Sequence, residues 1–129
     1  MILVDTSAWI DFFRNQGRLA DTVDQLLESD DAAVCGPIIT EIRRGLRSNA
    51  DRSQVLPLLS ACHHLEQPAA LWEDAGDLGT MLGKRGANVK TLDLLIATYA
   101  LTHTVALLTA DADFARMRRA GVGLMLVEA

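Results

Sequence analysis

The chain begins Met1-Ile2-Leu3-Val4-Asp5-Thr6-Ser7, and this stretch decides the fold. Its first four residues are apolar without a break. A short unbroken apolar run fits a strand covered on both faces, as in parallel sheets with helices packed above and below. The run stops at an acid followed by two hydroxyl side chains. The same pattern returns near the other end, where Val105-Ala106-Leu107-Leu108 runs into Thr109-Ala110-Asp111-Ala112-Asp113. In open parallel sheets, ligands bind beyond the C-terminal ends of the strands. Two strands that end in carboxylates and a hydroxyl therefore place candidate chemistry along one edge.

Outward from these strands the sequence alternates helix and strand. Thr6 or Ser7 can cap a helix over 8–14. Residues 19–29 suit an amphipathic helix with Leu19, Val23, Leu26 and Leu27 on one face. Residues 32–35 make a second strand, and Gly36-Pro37 opens a helix with Pro37 suited to its first turn. Further helices fit 52–61, 69–85, 92–102 (capped by Thr91) and 112–120. Residues 63–66 form a short strand or a connection, and 123–127 a last strand. This alternation predicts an α/β fold, a three-layer α/β/α sandwich with a mostly parallel central sheet and right-handed crossovers.

The 129 residues suit a single domain over 1–129. Half are hydrophobic and 22% are charged, enough for a core and unlike a disordered chain. Cys35 and Cys62 are far apart, which excludes a disulfide scaffold and fits a reducing compartment. The N-terminal run lacks a basic flank and is cut by Asp5, unlike a signal peptide. The apolar stretch 94–110 is broken by Thr102-His103-Thr104, so it reads as a buried helix and strand and not as a membrane span. The expectation is a soluble cytoplasmic protein. A net charge of −5 argues, taken alone, against a nucleic-acid partner.

Individual acids change that reading. Glu41 follows Ile38 and Ile39 and precedes Ile42; at ~100° per residue it lies beside their apolar stripe, facing a crevice. Gly45 leaves room one turn later. Asp93 stands alone in Leu92-Asp93-Leu94-Leu95-Ile96-Ala97, where a buried carboxylate is costly unless a cation or hydrogen bonds meet it. Asp5, Glu41, Asp93, Asp111 and Asp113 can form one acidic pocket. Carboxylates that close do not all stay ionised without cations. All-oxygen ligands suit Mg²⁺ or Mn²⁺ over Zn²⁺. The excess of five acids equals these five, and the rest of the chain balances 12 bases with 12 acids.

Other chemistries lack their motifs. The chain has no G-x-G-x-x-G after a strand and no G-x-S-x-G; Gly79–Arg85 misses the P-loop spacing. His63, His64 and His103 lack metal-ligand spacing and read as structural or surface residues. Trp9 and Trp72 fall on amphipathic helices and are expected in the core.

Four pieces, taken in order, resemble the PIN-domain family: Asp5-Thr6-Ser7-Ala8-Trp9-Ile10, Thr40-Glu41-Ile42, Leu92-Asp93-Leu94-Leu95-Ile96-Ala97 and Thr109-Ala110-Asp111-Ala112-Asp113-Phe114. Within it they look like the VapC toxins of type II toxin–antitoxin modules. The resemblance implies an α/β/α sandwich with an acidic Mg²⁺ or Mn²⁺ site. It implies an endoribonuclease acting on tRNA or ribosomal RNA, usually a homodimer, silenced by a VapB-type antitoxin. Asp5, Glu41 and Asp93 match the family's core acids. Asp111 and Asp113 both match its variable last motif, and Ser7 and Thr109 match supporting polar positions. The implied reaction is metal-assisted attack of water on a phosphodiester, leaving a 5′-phosphate.

Basic residues cluster at Arg43-Arg44-Arg47-Arg52, Lys84-Arg85-Lys90 and Arg116-Arg118-Arg119. Arg43 and Arg116 follow acidic motifs closely and are the first candidates to hold RNA phosphates. Two alternatives compete. A non-catalytic PIN-like RNA- or protein-binding module is disfavoured by intact acids at every motif position. A Mg²⁺-dependent aspartyl phosphatase or phosphotransferase would want a second Asp two residues after the first, where Ser7 stands.

Overall fold

The computed structural model describes residues 1–128. Four strands, β1 (Ile2–Val4), β2 (Ala32–Val34), β3 (His63–His64) and β4 (Ala106–Leu108), lie in the order β3-β2-β1-β4. Every pairing is parallel. The helices are α1 (Thr6–Phe13), α2 (Ala20–Glu28), α3 (Gly36–Gly45), α4 (Asn49–Ala61), α5 (Leu71–Lys84), α6 (Thr91–His103) and α7 (Ala112–Arg119). Strand order reverses at β1, whose two neighbours are β2 and β4. The crossovers are made by α1 and α2 between β1 and β2, α3 and α4 between β2 and β3, and α5 and α6 between β3 and β4. In sheets of this kind, ligands bind where strand order reverses, beyond the C-terminal ends of β1 and β4.

The adjacent strands β1 and β4 are each three residues long, and each runs straight into a polar residue, Asp5 and Thr109. Leu3, Val4, Leu107 and Leu108 are fully buried, as the unbroken apolar runs require. Trp9, Ile38, Ile96, Phe114 and Met117 bring the helices down onto them. Trp9 stacks on Phe13, with ring centroids 5.6 Å apart.

Several expectations are corrected. Residues 123–127 are not a strand; Leu126 makes one isolated parallel bridge to Leu107. Leu107 supplies both of its bonds, its N–H to the Met125 carbonyl and its carbonyl to the Val127 N–H. Gly123 offers no side chain to pack, which weakens a ladder there. The first helix starts at Thr6 with Asp5 as its N-cap residue, since both hydroxyls expected to cap it are committed elsewhere. Lys90, not Thr91, occupies the N-cap of α6. The helix expected from 52 starts at Asn49, because the Ser48 hydroxyl accepts from the Asp51 N–H at 3.0 Å. Trp72 is 62% exposed and not part of the core, because it lies in the first turn of α5 on its outer side. Each histidine ring lies against a backbone carbonyl: His63 on Asp30, His64 on Leu59 and His103 on Glu66. No helix among the described residues is long and apolar enough to cross a membrane.

Candidate metal centre

Val4 pairs with Leu108 across β1 and β4, so the next residues, Asp5 and Thr109, leave the sheet side by side. The Asp5 N–H extends the ladder by one bond, to the Leu108 carbonyl at 3.0 Å. On the other side, the β1–β2 register brings Cys35 level with Asp5.

Asp5 is only 4% exposed. Its Oδ2 accepts from the Thr109 hydroxyl at 2.7 Å and from the Ser7 hydroxyl at 2.9 Å. Each hydroxyl has a single proton, so each then acts only as an acceptor. Ser7 Oγ accepts from the Ala110 N–H at 2.9 Å, and Thr109 Oγ1 from the Asp111 N–H at 3.0 Å. This closed network ties the end of β1 to the start of α7. It fixes the path of the chain on which Asp111 and Asp113 sit. Asp111 in turn caps α7, its Oδ1 accepting from the Asp113 N–H at 2.9 Å.

Asp93 arrives from the first turn of α6 and is 6% exposed. It meets Asp111 and Asp113: one carboxylate oxygen from each of the three lies within 4.8 Å of the others. Its Oδ2 is buried without a hydrogen-bond partner. Burial, aided by the charge of Asp111, pushes the Asp93 carboxyl up to about 7. Lys90 pulls the other way, while Asp5 and Asp113 add to the rise. Asp5 is also raised, chiefly by burial; its hydroxyl donors offset part of this and the charge of Asp111 adds to it.

An orphaned buried carboxylate oxygen among repelling acids fits a divalent cation, which would satisfy the oxygen and cancel the repulsion. The donor set is all oxygen, which suits hard ions of the Mg²⁺ or Mn²⁺ type.

Glu41 is half-buried on α3 and outside the three-acid group. Its Oε1 accepts from the Thr6 hydroxyl at 2.8 Å, which ties α3 to the residue after Asp5. Sequence reasoning read Thr6 only as a cap; its place beside Asp5 at a strand end was the available signal. Cys35 was not singled out either. Burial pushes its thiol up to about 12, and the charges of Asp5 and Glu41 contribute, so both acids lie within electrostatic reach of it. Of the two candidate arginines, Arg116 reaches the cluster, its Nη1 lying 2.8 Å from Asp113 Oδ1. Arg43 is exposed in the last turn of α3 and makes no ion pair among the described residues.

Fold and site define a parallel α/β protein with clustered carboxylates at the point where strand order reverses. The PIN domain family model matches residues 2–120, and the chain belongs to the PIN domain family. It is 32% identical over 119 residues to the VapC ribonuclease Mb1587 of Mycobacterium bovis, covering 88% of this chain and 89% of that relative. Ribonuclease VapC11 of Mycobacterium tuberculosis matches to the same extent. Among solved structures, VapBC2 from Rickettsia felis, bound to a DNA fragment from its promoter, superposes with a TM-score of 0.77 at 20% identity. That match covers 98% of both chains and bears on the fold.

Proposed function

We propose that this chain is a Mg²⁺- or Mn²⁺-dependent endoribonuclease, the toxin of a toxin–antitoxin module, acting as one domain over 1–129. The observation that carries the reading is the meeting of Asp93, Asp111 and Asp113 with an unpartnered buried oxygen on Asp93. The 32% identical relatives named as VapC ribonucleases support the activity. A bound divalent ion would supply Lewis-acid polarisation of the phosphodiester and a lowered pKa for water.

Asp93, Asp111 and Asp113 would hold it; Asp5 lies outside that group, within reach of the charges of Asp111 and Asp93. Two hydroxyls occupy Asp5 Oδ2, so an ion shared with Asp5 would be taken by Oδ1. Thr6 holds Glu41 through Oε1, and Glu41, outside the three-acid group, would act through water by orienting the nucleophile. Ser7 and Thr109 hold Asp5 in place. The RNA substrate is expected to be a tRNA or ribosomal RNA.

The partner is a VapB-type antitoxin, a reading supported by the similarity in fold to solved VapBC complexes. A groove of about 540 Å³ between α1 and α4, lined in part by Ile10, Phe12, Phe13, Val55 and Leu58, suits an apolar helical segment of that antitoxin. The active form is a soluble cytoplasmic homodimer.

The deciding experiment incubates purified protein with total RNA and Mg²⁺ or Mn²⁺, with chelator and Asp5→Asn controls. Cleavage confined to the metal-loaded wild type is expected. Equal products from wild type and Asp5→Asn would end the nuclease reading.

A further inference from the structure

Arg116 belongs to two places at once. One end of its guanidinium touches the acid cluster through Asp113. The residue also lines a concavity of about 290 Å³ with Arg85, Gly86, Ala87, Arg119 and Ala120. Half of that lining is arginine, and no carboxylate is part of it.

Two of the three guanidinium groups are held in position. Arg85 Nη1 donates to the Ala120 carbonyl at 2.6 Å, just past the end of α7. Gly121, at φ +102°, runs so close beneath that a Cβ would stand 2.5 Å from the same nitrogen. Arg116 donates through Nη1 to Asp113 and through Nη2 to the Asn88 carbonyl at 3.4 Å. Arg119 is exposed and makes no ion pair among the described residues. A carbonyl orients a guanidinium without neutralising it. Of the three charges, only that of Arg116 is matched by a carboxylate.

We propose that this concavity binds a phosphodiester of the RNA strand next to the one engaged by the acid cluster; the assignment rests on the nuclease reading. The chemistry favours it in three ways. A guanidinium offers five N–H donors in a fork that fits two phosphate oxygens, and Arg85 spends one of them on Ala120. Because Arg85 and Arg116 are already oriented, less side-chain freedom is lost on binding. The acid cluster repels a polyanion, so positive charge beside it is needed to draw the strand in. The lining has no aromatic ring on which a base could stack, and the guanidinium forks are assigned to the backbone phosphate, which carries no sequence information.

The test measures binding of fluorescein-labelled single-stranded RNA oligonucleotides to the full chain by anisotropy, in EDTA, across a salt series. Arg119→Gln carries the test because Arg119 supports no other part of the fold. It should weaken binding several-fold, equally for unrelated sequences, and lower the salt slope by about 0.7, the value for one phosphate on a single strand. Arg119→Lys should restore the slope. With active protein and metal, Arg119→Gln should raise KM far more than it lowers kcat. Arg85→Gln should act the same way; a drop in its melting temperature would reflect the missing bond to Ala120.

Unchanged affinity and salt slope in Arg119→Gln, with wild type still cleaving RNA, would overturn the subsite and leave the nuclease reading standing. Arginine-dependent RNA binding by a wild type that never cleaves would do the reverse.

Discussion

The Thr109 hydroxyl donates to Asp5 Oδ2 over 2.7 Å and so joins the ends of two adjacent parallel strands. The bond lowers the cost of ionising a carboxyl that burial holds above its usual range. Thr109→Val keeps the shape and removes the donor. A partly buried hydrogen bond to a charged group contributes about 1.5–3 kcal/mol, so chemical denaturation should show a loss approaching the lower end of that range. The acidic limb of any activity–pH profile should move to higher pH, because Asp5 then ionises later. Ser7→Ala should act in the same direction. An unmoved limb in both variants would separate Asp5 from the activity.

Asp93 makes metal-free stability depend on pH. Its carboxyl is raised from 3.8 to about 7 in the folded chain. Between those values the folded state holds a proton that the unfolded state has released. Stability therefore falls as pH rises through that window and levels off above about 7. Asp93→Asn removes this contribution. Urea denaturation in chelator at pH 5 and pH 8 should show a smaller pH-dependent loss in the variant than in wild type. Equal slopes would show that the carboxyl is not perturbed.

Asp5→Asn separates chemistry from stability. The amide oxygen can keep both hydroxyl donors, while the charge that burial and Asp111 oppose disappears. The metal-free variant should melt at or above the wild-type temperature and show no metal-dependent cleavage. A clear fall in melting temperature would make Asp5 a structural residue.

Much of this was legible from the residues themselves. Unbroken apolar runs ending in acids marked β1 and β4, and parallel pairing followed from burial on both faces. Asp93 stood out because ionisable groups are rare in such apolar helices. What was not legible depended on three-dimensional company. Thr6 looked like a cap, and only the approach of α3 turns it toward Glu41. Residues 123–127 carry strand-like composition, yet the backbone meets β4 at Leu107 alone. Arg85 is 35 residues from Ala120, so no local pattern could pair them.

The two cysteines should be inert in the folded protein. Burial pushes Cys35 up to about 12, with Asp5 and Glu41 adding to it, and pushes Cys62 up to about 11. The thiolate is the reactive species, so both should be almost wholly protonated at pH 8. An aromatic disulfide reagent should titrate neither thiol in native protein and both in denaturant. Fast labelling of Cys35 in the native state would mean that the floor of the site opens to solvent.

Metal addition tests the acid cluster without relying on activity. An ion that binds only the folded state stabilises it by about 2.7 kcal/mol at a hundred times its dissociation constant. For a domain of this size that is several degrees of melting temperature. The opposing protons sit on the same oxygens, so the shift with Mn²⁺ should be large at pH 8 and small at pH 5.5, where Asp93 is protonated. Asp93→Asn combined with Asp111→Asn leaves one of the three clustered acids and should lose the shift at both pH values. Arg43→Gln, at an exposed position outside the cluster, should keep it. A Mn²⁺ shift that survives in the double variant would place the ion elsewhere on the chain.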